Sequence, residues 1–140
     1  METIRLVLCT FPDAAAARQI GTTLVEKQLA ACVNLIPGVE SIYRWQGKLE
    51  CAAEVLAIFK TSAAVFPEFE DALSELHPYD VPEIIAIEPA AVSRLYLEWV
   101  LAARRGAVSD PLVIHPELAG KILYDPTEMA NENDWPEDSR

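Results

Sequence analysis

The sequence predicts an α+β domain in which two helices cover one face of a four-stranded antiparallel sheet. Apolar extended runs and helix-period segments succeed one another in the order strand, helix, strand, strand, helix, strand. The two middle strands flank Gln46-Gly47 with alternating residues on either side, the pattern of a hairpin. At 140 residues and 51% hydrophobic, the chain can bury one core of ordinary size.

TIRLVLCTF is aliphatic and β-branched and stops at Pro12, which suits a first strand. Asp13 caps a helix running through Gln28, with Ala17, Ile20, Leu24 and Val25 on its apolar face and Arg18, Glu26 and Lys27 toward water. CVNLIPGVESIYRWQGKLECAAEVLAIFKT then reads as a long hairpin. Pro37 cannot donate to a strand ladder, so Pro37-Gly38 predicts a bulge or bend that swings the outer half of the hairpin away from the sheet. Alternation puts Tyr43 and Trp45 on one face of that projecting arm and Ile42 and Arg44 on the other. Cross-strand packing is the plain reading of the aromatics, yet an arm beyond its own core needs a second surface to cover them, which points to oligomerisation.

Phe66, Phe69, Leu73 and Leu76 are spaced for a second amphipathic helix, with Pro67 tolerable only in its first turn. His77 precedes Pro78 and so must leave the α region, which ends the helix, while Val81 before Pro82 is held extended. EIIAIE supplies the fourth strand. Ser93 is placed to cap a third helix, SRLYLEWVLAARR, whose apolar residues wrap nearly around its axis and therefore need more than one neighbour. These elements spell a ferredoxin-like α/β plait with an extra C-terminal helix, over residues 1–105. Residues 106–140 form an acidic extension, with seven acids against Lys121 and Arg140 from Pro111 onward. It reads as a solvated tail unless its apolar LVI docks, in which case His115 could bring an imidazole back to the body of the protein.

The net charge is -11, from 22 acidic and 11 basic side chains, and repels phosphate backbones and anionic lipid. Neither nucleic acid nor membrane is an expected partner. No apolar run approaches the roughly 18 to 20 residues that cross a bilayer, and METIRLVLCTF lacks the basic and apolar regions of a leader, so the expectation is a cytoplasmic protein. Cys9, Cys32 and Cys51 are odd in number and about twenty residues apart, unlike a disulfide framework or a zinc half-site. Cys32, among small apolar residues, reads as a packed small hydrophobe. GxSxG, HExxH, GxxxxGK[ST] and GxGxxG are all absent, and the chain shows no orienting third residue for a Cys9–His77 nucleophile pair, so no enzyme is expected.

VLCTFPD, LVEKQLAACVN, SIYRWQGKLE, Lys60-Thr61, HPYDVPEI and YLEWV, in this order and at these intervals, closely resemble the CutA divalent-cation-tolerance family over roughly residues 4 to 103. The resemblance implies a ferredoxin-like subunit, a homotrimer in which long hairpins and sheet edges interlock, similarity to PII signalling proteins, and binding of divalent metal, copper in particular. It also implies metal ligation by Cys9 and by histidine before the Pro78-Tyr79 pair. Here that histidine is His77, with Leu76 where a two-histidine variant would place another. Thiolate and imidazole suit copper or zinc, but two ligands fall short of a closed site; Asp80 and Glu83 are near enough in sequence to add oxygen. The plain alternative is that HPYDVPEI only turns the chain, with His77 hydrogen-bonded at a helix end. A different class of function is also open: a PII-like small-molecule or protein-interaction module using clefts between subunits, with Tyr43, Trp45, Lys60, Tyr79 and Glu83 as pocket residues.

Overall fold

The computed structural model describes residues 2–103. The acidic extension and His115 lie outside the described residues. The elements are β1 (Ile4–Phe11), α1 (Ala14–Glu26), β2 (Cys32–Trp45), β3 (Lys48–Ser62), α2 (Phe66–Leu76), β4 (Ile85–Ile87) and α3 (Arg94–Ala102). The sheet order is β2-β3-β1-β4 and every neighbouring pair is antiparallel, giving the ferredoxin-like α+β arrangement. Among the described residues no helix is long and apolar enough to cross a membrane.

Alternation along the central strands divides the sheet into two unlike faces. Val7, Cys9 and Phe11 of β1, with Val55, Ala57 and Phe59 of β3, are buried beneath Ala17, Ile20 and Leu24 of α1 and Phe69 and Leu73 of α2. Phe59 meets Phe69 edge-on with ring centroids 5.0 Å apart, a favoured aromatic geometry. Gly21 lets α1 approach β2 closely: a Cβ there would stand 3.2 Å from Val33 Cγ1.

Asp13 caps α1 as its position predicts, Oδ1 accepting from the Ala16 amide at 2.7 Å. The helix stops at Glu26 rather than continuing through Gln28, because Gln28 turns left-handed (φ 60°) and the amides of Leu29 and Ala30 both donate back to the Leu24 carbonyl. α2 ends at His77, whose φ of -68° and ψ of 138° are extended, as a residue before proline requires. β4 is shorter than the run EIIAIE, only Ile85–Ile87, since the flanking stretch from Pro82 and the approach to Pro89 cannot continue the ladder. Ser93 occupies the N-cap of α3, but its exposed hydroxyl makes no capping bond; the helix begins on the Ser93 carbonyl, which accepts from Leu97 N at 3.0 Å.

The hairpin bends where expected. The β2–β3 register jumps from Ile36↔Leu56 to Val39↔Glu54, leaving Pro37 and Gly38 opposite Val55. At the tip Gln46 (φ 49°) and Gly47 (φ 78°) form a two-residue turn of the primed kind that matches strand twist. Beyond the bulge the ribbon has no core of its own, and Ile42, Tyr43, Trp45 and Leu49 are all exposed.

The second face of the sheet carries Leu6 and Leu8 of β1, Leu56 and Ile58 of β3, Ile36 of β2, and Ile85 and Ile87 of β4, as the register pairs show. α3 covers one end of it, packing Val100 against Ile4 and Ala31. Among the described residues no other element covers it, and both edge strands contribute exposed isoleucines.

Candidate functional site at the end of the first strand

The end of β1 and the segment after α2 bring several chemically capable side chains together. Cys9 points inward from β1, cross-strand from Ala57, and is fully buried. Its Sγ has one weak polar contact, the Thr10 carbonyl at 3.8 Å. Burial pushes the thiol up to about 12, and the negative fields of Glu83 and then Glu54 add to the effect. Cys9 is thus a neutral thiol at ordinary pH, an inert form until the proton is displaced.

His77 arrives at the same place because Pro78 forces it out of α2. One ring nitrogen, Nε2, lies 2.8 Å from the Thr10 carbonyl oxygen, and the other, Nδ1, accepts from the Tyr79 amide at 3.0 Å. A carbonyl can only accept and an amide N–H can only donate, so the ring is held as the neutral tautomer with its proton on Nε2. It also stacks on Phe11, ring centroids 4.7 Å apart. His77 therefore ties the turn after α2 to the end of β1, with both nitrogens engaged.

Tyr79 follows, its ring 4.8 Å from that of His77 and its hydroxyl donating to Glu54 Oε2 at 2.8 Å. Burial raises the phenol's pKa, and the bond to Glu54 raises it further; Tyr43 and Asp13 are close enough to add to the same effect. Glu83 is exposed at the rim. Cys9 and His77 thus both reach the Thr10 carbonyl, Tyr79 bonds Glu54 beside His77, Glu83 and Glu54 act on Cys9 through their charge, and Tyr43 is within electrostatic reach of Tyr79. Glu54 was not among the residues singled out from the sequence, although a lone carboxylate in the apolar run CAAEVLAIF is a signal that could have found it. Asp80, considered as an oxygen donor, is exposed.

The remaining candidates sit elsewhere in a single chain. Lys60 is cross-strand from Leu6 and Cys32 on the second face of the sheet, where partial burial lowers its pKa. Trp45 is 61% exposed next to the hairpin turn. Ten residues of β3 separate Lys60 from Glu50, the cross-strand partner of Tyr43, a distance of about 33 Å along an extended strand. Among the described residues no group of three or more His, Cys, Asp or Glu side chains is placed to hold a metal ion. One subunit therefore offers a thiol, a fully engaged imidazole and two carboxylates near by, but not a ready donor set.

The fold and the sequence together place the chain in a known class of divalent-ion tolerance proteins. Residues 5–103 match the family model described as CutA1 divalent ion tolerance protein. The divalent-cation tolerance protein CutA of Thermus thermophilus is 47% identical over 95 residues, covering 68% of this chain and 92% of its own. The human Protein CutA is 42% identical over 107 residues, or 76% of this chain and 59% of the human one. A solved Thermus thermophilus structure, titled divalent cation tolerance protein, superposes with a TM-score of 0.70 at 44% identity over 72% of this chain and 98% of that one. The CutA1 structure from Oryza sativa gives a TM-score of 0.72 at 36% identity over 74% and 95% of the two chains. The chain belongs to the CutA divalent-cation-tolerance family.

Proposed function

We propose that the protein serves divalent-cation tolerance as a non-enzymatic homotrimer that binds a divalent metal ion, copper in particular, at the end of β1. The observation that carries the assembly is an apolar face that, among the described residues, α3 covers only at one end: aliphatic side chains from all four strands line one side of the sheet, and the ribbon beyond the bulge exposes Ile42, Tyr43, Trp45 and Leu49. A surface of this kind calls for cover, and sister copies present the same edges and ribbon to one another. Cys9 is the soft ligand of the proposal, with oxygen from Glu83 or Glu54. His77 joins only by giving up one of its two backbone bonds.

Because the donors of one chain fall short of a closed site, binding at this spot is modest and costs a proton from Cys9. Light scattering on the full chain should give the mass of three subunits; a stable monomer would remove the assembly. Calorimetric titration of Cu²⁺ against the unaltered protein, Cys9→Ser and His77→Ala should show the affinity falling in the first variant, and equal affinities in all three would take both residues out of the site.

Tyr43, on the ribbon beyond the bulge and within electrostatic reach of Tyr79, favours a second reading in which a small molecule or protein partner sits in a PII-like cleft between subunits. A thermal shift caused by a metabolite on the metal-free protein would mark that reading. We place the protein in the cytoplasm on the strength of its three free cysteines. Relatives are titled chloroplastic in Arabidopsis thaliana and periplasmic in Archaeoglobus fulgidus, so cell fractionation is the test.

A further inference from the structure

On the second face of the sheet, away from the β1 site, Cys32 and Lys60 are direct cross-strand partners of β2 and β3. Directly opposed residues of an antiparallel pair share a face with Cβ atoms about 5 Å apart, and a lysine stem easily spans that gap. The Ala31 amide donates to the Lys60 carbonyl at 2.7 Å and fixes the register at this point. The Tyr96 hydroxyl of α3 lies 3.5 Å from Cys32 Sγ and holds the sulfur in place. Both members of the pair are half-buried.

We propose that Cys32 and Lys60 form a peroxide-responsive covalent staple, a sulfur–nitrogen bond joining β2 to β3. In the first step the Cys32 thiolate attacks hydrogen peroxide, an S–O bond forms, the O–O bond breaks, and hydroxide leaves with the electron pair; sulfur is oxidised to the sulfenic acid and peroxide is reduced. In the second step the neutral amine of Lys60 attacks that sulfur, the S–N bond forms, the S–O bond breaks, and the hydroxyl departs as water with a proton from nitrogen. The net change is one peroxide consumed, two waters formed and two hydrogens lost from the protein. A thiol reductant reverses it by attacking sulfur and returning the amine.

The surroundings suit both steps. Partial burial lowers the pKa of Lys60, which enlarges the share of free amine; the nearby Cys32 sulfur, when charged, pulls the other way by the smaller amount, and its influence on the amine marks the two groups as neighbours. The other cysteines have no such arrangement. Cys9 is buried with its thiol pushed up to about 12. Cys51 is exposed on the ribbon, opposite Ile42 and bonded to Glu40 at 3.3 Å, with no amine across from it.

The test uses the full chain carrying Cys51→Ser, so that Cys32 is the reactive thiol left, treated with hydrogen peroxide and compared with the same protein carrying Lys60→Arg. Mass spectrometry of the intact chain should show the loss of two hydrogens. Trypsin should then fail to cut after Lys60 and release one cross-linked species holding both Cys32 and Lys60. Reductant should restore the mass and the cleavage, a readout that needs no second variant. The Lys60→Arg protein should lack the species. Recovery of Cys32 as a free thiol, its progress to sulfinic acid, or a loss of two hydrogens that persists in Lys60→Arg would each overturn the proposal.

Discussion

Replacing Cys9 by alanine should change how the fold responds to alkali. In the native protein the Cys9 thiol holds its proton up to about 12, against an ordinary value of 9.0 in the unfolded chain. A proton held more tightly in the folded state stabilises it fully below the unfolded value and ceases to do so as pH rises through the folded one. Each pH unit above 9.0 therefore costs the native state about 1.4 kcal/mol through this residue, and at pH 11 the loss is about 3 kcal/mol. Alanine removes the titration, at the cost of the sulfur's packing against the core, about 1 to 2 kcal/mol. The natural protein should thus be the more stable of the two near pH 8, and the difference should shrink and then reverse by pH 11. Tyr79 and Tyr96 have raised values and act in the same direction, while Lys60 has a lowered one and acts in the opposite direction. All three are present in both proteins and cancel in the difference. Urea denaturation followed by circular dichroism at several pH values between 8 and 11 measures it directly. Two parallel stability curves would refute the reasoning, since they would mean that Cys9 ionises in the native state as it does in the unfolded chain.

His77→Ala should cost about 2 to 4 kcal/mol, because it leaves the Thr10 carbonyl and Tyr79 amide without their partner and removes the ring stacked on Phe11; urea denaturation at neutral pH reads it. Asp13→Ala should cost about 1 kcal/mol by depriving the Ala16 amide of its acceptor, measured the same way. Gly47→Ala meets no neighbouring atom, so its cost is the left-handed backbone alone, about 1 kcal/mol. Gln28, left-handed at the end of α1, should accept glycine with a small gain in melting temperature.

Much of this fold was legible because its signals are local. Asp13 before an alanine-rich amphipathic run, Pro37-Gly38 inside a strand pattern and His77 before Pro78 each force one backbone outcome, and the structure contains all three. The misses arose where local rules compete with longer-range ones. Gln28 keeps helix-forming chemistry but closes a left-handed cap once the Leu24 carbonyl is available to two following amides. Ser93 has the right side chain for a cap and too little burial to need it. At the candidate site, Cys9 and His77 could be named from motif resemblance, but not the bonds that tie up both ring nitrogens, because their partners are the backbone of Thr10 and Tyr79. Backbone donors and acceptors leave no trace in residue type. Glu54 was hidden for a related reason: its bond to Tyr79 crosses 25 residues of sequence.

These bonds decide how His77 can be read. An imidazole that ligates metal must free one nitrogen, and here each nitrogen closes a part-buried backbone group. The exchange costs about 1 to 3 kcal/mol before any gain from coordination, which lowers affinity by roughly 5- to 150-fold relative to a free ring. If His77 is a ligand, His77→Ala weakens Cu²⁺ binding; ligation through Nδ1 also frees the Tyr79 amide, seen as its faster hydrogen exchange, whereas ligation through Nε2 frees the Thr10 carbonyl instead. If His77 is only the latch, metal leaves that amide protected, whereas His77→Ala exposes it with no metal present. Ligation through Nδ1 and a pure latch thus predict different effects of metal on one amide, Cu²⁺ affinity of His77→Ala separates ligation through Nε2 from the latch, and the latch is the role the resting geometry already performs.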